Sequence, residues 1–228
     1  MPSDTYEPVP APEPKRANQR DLAAVRTRAE ILQIATEEFA LHGYTGARVD
    51  AIAERMRVSK AMIYYYFTNK DGLYLAVLEH VYSLIRDAEE ATRLDHESPA
   101  EQLLSRYIEN TFEFHENNQV FSRIISIENI HNAAFLKKSP TIKATNRPVL
   151  ETLTSILHRG IAAGTFRRDI GAVDLHYLIS ALCIYRVSNR HTFGTLFDVD
   201  FSKKSTRKKQ RMLAVESVLT LLMKPAAD

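Results

Sequence analysis

Residues 49–73 read VDAIAERMRVSKAMIYYYFTNKDGL. Helical spacing divides the stretch into a short helix, Val49 to Met56, a tight turn, and a second short helix, Lys60 to Phe67. The first helix turns Ile52, Ala53 and Met56 inward, and Asp50 in its first turn suits the helix dipole. Ser59 is a natural N-cap for the second. On that helix Ile63 and Phe67, four residues apart, face inward, leaving Lys60, Ala61, Tyr64 and Tyr65 outward. Tyrosines beside lysines, on a helix too short to serve mainly as core, suit a nucleic-acid backbone. The bland alternative is a helical hairpin whose tyrosines lie half buried in a surface.

A helix-turn-helix lays its second helix in the major groove, with the N-terminal residues nearest the bases. Here those residues are Lys60, Ala61 and Met62. A lysine can donate to guanine, and a small apolar side chain can touch a thymine methyl. Tyrosine hydroxyls and Lys70 suit phosphates, which set register rather than sequence.

Outward from this stretch the chain reads as helices. Residues 27–41 carry Ile31, Leu32, Ala35 and Phe39 at helical spacing, and Gly43 ends that first helix. Ordered structure is expected to begin near Arg20. A fourth helix runs from Lys70 to about Ala91, a fifth from Pro99 to about Glu116, and a sixth over residues 120–131. Pro140 and Pro148 bracket a turn and the start of a seventh, which ends at Gly164. An eighth spans about residues 174–197, and DVDFSKKSTRKKQ reads as a charged connection before a last helix, Met212 to Met223. The last two helices are too apolar for one-sided surface helices of a monomer, so pairing with a second subunit is expected.

Composition agrees. The 228 residues include only 7 glycines and 9 prolines, five of them in the first 14 residues, so breakers are scarce beyond the N-terminus and an all-α fold is expected. The Pro-rich start, MPSDTYEPVPAPEPKR, has no apolar centre of a signal peptide and reads as a disordered arm. A net charge of +2 is too small to argue for nucleic acid, so any DNA signal must be local. Cys183 alone excludes an intrachain disulfide and fits a reducing cytoplasm. No run approaches the roughly 20 apolar residues of a membrane span.

The stretch resembles the TetR family of bacterial transcriptional repressors. Phe39, Gly43, Tyr44, Thr45, Ile52, Ala53, Val58, Ser59, Tyr64, Tyr65, Tyr66, Phe67, Lys70 and Leu73 carry the likeness, over about residues 26–75. The resemblance implies a three-helix DNA-binding domain joined by a long fourth helix to a ligand-binding and dimerisation domain; with the disordered arm at 1–19 these are placed at 20–69 and 70–228, with about nine helices in all. It implies that Lys60, Ala61, Met62 and Tyr64 face bases and that Tyr65, Tyr66 and Lys70 meet phosphates, with Arg48 a further phosphate contact. Arg57 stands where the family has a turn glycine, and Ala61-Met62 where it often has Gly-Thr. Lys15, Arg16 and Arg20 are candidates for arm contacts to a neighbouring groove, or for a solubilising tail.

In the second half, IENIHN and YRVSNRHTF place polar residues on otherwise apolar helices. Tyr107, Glu128, His131, Arg186 and Asn189 are the candidate ligand contacts. A buried Arg186 needs an anion, either a ligand carboxylate or Glu128. This half is similar to the branch of the family that contains a nicotinate-degradation repressor. That likeness suggests as effector an aromatic acid such as nicotinate or a hydroxylated relative. The expected partners are double-stranded operator DNA, a small-molecule effector and a second copy of the chain. No cofactor, metal or catalytic residue is expected. The rival reading is a helical metal-dependent enzyme built on Glu128 and His131, which form Glu-x-x-His. Di-metal helical sites use two such motifs, and no second one occurs.

Overall fold

A computed structural model describes residues 19–93, 97–167 and 169–223. The arm expected over residues 1–19, with Lys15 and Arg16, lies outside them except for Gln19. The described elements are α1 (Gln19–Gly46), α2 (Val49–Met56), α3 (Lys60–Phe67), α4 (Lys70–Arg93), α5 (Ala100–Asn117), α6 (Gln119–Ile130), a 3-10 turn (Leu136–Lys138), α7 (Pro140–Ala162), α8 (Ala172–Ser188), α9 (Arg190–Phe197) and α10 (Lys204–Leu222). Among the described residues there is no strand, only an isolated bridge between Phe166 and Met223.

α2 and α3 have the bounds expected of them, whereas α1 runs over Gln19–Gly46 rather than 27–41, with Gly43 inside it rather than at its end. Gly43 interrupts α1 with φ 68° and ψ 175°, a conformation essentially restricted to glycine. Arg57 closes α2 in the left-handed region, at φ 57° and ψ 40°, and the Val58 amide donates to the Ala53 carbonyl at 3.0 Å. Ser59 caps α3 by accepting from the Met62 amide at 3.2 Å. At Gly72 a Cβ would lie 2.2 Å from the Phe67 carbonyl oxygen, so the close approach of α4 to the end of α3 requires glycine.

Three expectations in the C-terminal half are corrected. The expected eighth helix breaks into α8 and α9 at Asn189, giving ten α-helices among the described residues rather than nine. The Asn189 side-chain amide donates to the Tyr185 carbonyl at 3.2 Å, competing with the backbone at the break. α10 starts at Lys204, so most of the supposed connection is its first two turns. Arg207 and Arg211 there meet Glu113 on α5, and Arg211 also approaches Glu109 at 3.8 Å. α7 begins at Pro140, behind the Ser139 cap, and runs through an exposed Pro148 instead of starting after it.

Apolar side chains collect in two cores. The first joins Ile31, Phe39, Ile52, Ile63 and Phe67 of α1–α3 to Leu73, Val77 and Val81 of α4 and to Phe121 and Ile124 of α6. The second joins α5, α7, α8 and α10 through Leu104, Tyr107, Leu153, Ile179 and Val218. The first core crosses residue 70, joining α1–α3 to α4 and α6. No helix among the described residues is long and apolar enough to cross a membrane.

Candidate DNA-reading face and effector cavities

The capped start of α3 presents Lys60, Ala61, Met62 and Tyr65 together at the surface; Tyr65 is 83% exposed. Ile63 and Phe67 anchor the opposite side, at 0% and 5%. Tyr64 and Tyr66 are half buried, which leaves their edges at the rim of this face. The Lys60 ammonium sits 3.1 Å from Asp50 and 5.9 Å from the centre of the Tyr64 ring. Both partners of that ion pair are nearly half exposed, so it holds Lys60 only weakly. Arg48 is exposed at the start of α2, and its backbone amide donates to Glu38 at 3.1 Å. Lys70 has a partner within the chain. Its ammonium donates to the Ala47 carbonyl at 2.6 Å and lies over the Tyr44 ring, so it binds α4 to the turn before α2.

The hydroxyl of Tyr44 donates to Asp71, and that hydrogen bond pushes the phenol up to about 12. Its ring meets Phe135, from the turn after α6, at 4.6 Å. The sequence reading missed this junction, since Tyr44 and Phe135 lie far apart along the chain and each reads alone as ordinary core.

Glu128 is not the partner of Arg186. It is 3% exposed and accepts from the backbone amides of Phe135 and Leu136, at 3.3 and 3.1 Å. Arg186, 6% exposed, pairs with Glu116 and donates to Gln210, its guanidinium 4.9 Å from the Phe112 ring centre. Glu109, Glu113 and Glu116 recur at helical spacing along α5 and meet Arg186, Arg190, Arg207 and Arg211. That spacing was the signal in the sequence that pointed to the true partner.

Two cavities bear on ligand binding. The larger, about 730 Å³, runs between α8 and α10 and includes Arg186 and Asn189 with the exposed Tyr177 and Tyr185. The smaller, about 310 Å³, lies where α1, α6 and the α8–α9 break meet. Of the other candidate contacts, Tyr107 is wholly buried in the second core, Glu128 is occupied by the turn, and His131 is exposed at the end of α6. None of these three lines either cavity. Among the described residues no group of three or more His, Cys, Asp or Glu is placed to hold a metal; Glu128 is buried and His131 exposed.

Residues 31–77 match the family described as "Bacterial regulatory proteins, tetR family", and residues 99–218 match "Tetracyclin repressor-like, C-terminal domain". The chain is 34% identical over 192 residues to the HTH-type transcriptional repressor NicS of Pseudomonas putida, covering 84% of this chain and 88% of that protein. Among solved structures, a bacterial regulatory protein in the tetR family from Rhodococcus RHA1 superposes with a TM-score of 0.69 at 21% identity, covering 89% of this chain and 99% of that one. AibR, solved in complex with isovaleryl coenzyme A and operator DNA, superposes with a TM-score of 0.64 at 16% identity, covering 83% and 96%. With a helix-turn-helix head in front of a helical C-terminal domain, and both matched in order, this chain belongs to the TetR family of transcriptional regulators, proteins that bind DNA and are not enzymes.

Proposed function

We propose that this chain is a ligand-responsive repressor that binds a palindromic operator as a homodimer and is released by a small-molecule effector. The observation that carries the reading is the capped, exposed N-terminal face of α3, where Lys60, Ala61 and Met62 stand clear of the core. Arg48, Tyr64, Tyr65 and Tyr66 flank it as phosphate or rim contacts. Lys70 contributes by fixing the head to α4. The exposed Val173, Tyr177 and Tyr185 of α8, with Met212, Leu213 and Leu221 of α10, support pairing of two copies through these helices. A relative at 34% identity bears the name of a repressor, which supports repression rather than activation.

The effector is an aromatic acid, nicotinate or a hydroxynicotinate in kind, in control of a catabolic pathway. The likeness of the C-terminal half to the nicotinate branch supports this. Arg186 is already held by Glu116 and Gln210, so it is not a free carboxylate clamp.

Selection of genomic fragments by the purified protein, with and without a panel of aromatic acids, tests the reading. A short palindrome released by one acid is the expected result. Recovery of only salt-sensitive, sequence-indifferent fragments would overturn it.

A further inference from the structure

We propose that the smaller cavity is the binding site of a monocyclic carboxylate, and that its occupation acts directly on the DNA-reading head. The cavity is walled on one side by the end of α1, at Ala40, Leu41 and Gly43, and on the other by α6 and the α8–α9 break. One wall is therefore the first helix of the reading head, and the others belong to the C-terminal domain.

Its chemistry selects an anion. Arg123 of α6 and His191 of α9 line it, and among the described lining residues there is no carboxylate. Ser122 also lines it; the residue is 2% exposed, and its buried hydroxyl has no hydrogen-bond partner. A buried hydroxyl left unpaired is unfavourable, and because it has almost no accessible surface a carboxylate oxygen would reach it and accept from it only after a small shift of the wall. Leu41, Ile127 and Val187 supply apolar wall for a ring. A volume of about 310 Å³ lies at the small end of ligand sites and suits one ring rather than a large ligand. In the larger groove, by contrast, the only cation among the described lining residues is the already paired Arg186.

A ligand that binds better when the walls stand apart shifts the head to that position, and only this difference in affinity can move it. Gly43 is the natural give-point, since its φ/ψ breaks α1 beside the cavity and a Cβ there would meet nothing within 4 Å. The coupling rests on the repressor reading; the binding itself does not.

The test is calorimetric titration of the full chain, without DNA, with nicotinate and benzoate at millimolar concentration and with their amides as controls. At least one acid should bind about tenfold or more tighter than its amide, as a charge-assisted hydrogen bond allows. Arg123→Gln should erase that preference with the unfolding curve unchanged, because Arg123 is exposed. Asn189→Ala, in the larger groove, should leave the preference intact. The site is overturned if no acid binds, or if the acid preference survives Arg123→Gln. Binding that leaves operator affinity unmoved overturns the coupling. Failure to bind any operator in the absence of acid counts instead against the repressor reading, and the titration still decides the site.

Discussion

The rings of Phe135 and Tyr44 meet with centroids 4.6 Å apart, joining the turn after α6 to the end of the first helix of the reading head. Tyr74 of α4 completes the contact, 5.0 Å from Phe135 and 5.2 Å from Tyr44. The turn that delivers Phe135 holds Asn132 and Ala133 in the left-handed region, at φ 55° and 56°, which asparagine tolerates and alanine does not favour. Glu128 stabilises it by accepting from the Phe135 and Leu136 amides.

Phe135→Ala should therefore loosen the angle between head and C-terminal domain. The stability cost is about 2 kcal/mol, below the range for a fully buried phenylalanine because this residue is only partly buried. The diagnostic measurement is affinity for operators whose half-sites are moved by one base pair. The native chain should discriminate sharply among spacings and the variant much less. Equal weakening at every spacing would mean that Phe135 only contributes stability.

Lys60 and Tyr65 should separate base reading from phosphate binding. Lys60→Ala is expected to relax discrimination at particular base pairs by about 1–3 kcal/mol. Tyr65→Phe should weaken all sequences alike. Binding-site selection with each variant checks this, and a uniform loss for Lys60→Ala would place Lys60 on the backbone instead.

Arg57 takes the left-handed conformation that the turn demands, at φ 57°. Arg57→Gly should relieve strain of roughly 1 kcal/mol, partly offset by the greater freedom of glycine in the unfolded chain. The expected gain is a rise of roughly 2 °C in midpoint for a chain of this size, at fixed protein concentration. A fall in the midpoint would show that the Arg57 side chain contributes a contact worth more than the strain.

His115 is 1% exposed on α5, and burial, then the Arg86 charge, then His176 push it down to about 4. Its folded pKa lies below the unfolded value of 6.5, so the unfolded chain takes up a proton that the folded chain refuses. The stability is complete above that value and is lost as pH falls from 6.5 towards 4, by about 3 kcal/mol at most. His176 and His80 are lowered too and steepen the same limb. Denaturant unfolding across this window should show His115→Gln flattening the decline. An unchanged slope would mean that the imidazole is protonated in the folded state.

The reading head was legible because its information is local. Ser59 as cap, Ile63 and Phe67 as anchors and the breaks at Gly43 and Arg57 all act within one or two turns, and α2 and α3 have the expected bounds. The C-terminal half was legible as helices but not in its boundaries. A basic run reads as a loop until the acidic face of α5 is set against it, and a long apolar run hides the break at Asn189.

The sequence by itself determined an all-α chain with a helix-turn-helix in front, since capping, periodicity and turn chemistry are properties of neighbours along the chain. Only the tertiary structure decided the partners. It gave Arg186 to Glu116 rather than Glu128, turned Lys70 back onto the Ala47 carbonyl, and set Phe135 against Tyr44. The physical reason is that a buried charge or ring is held by whatever group the packing brings within a few ångströms, and sequence distance says little about which group that will be.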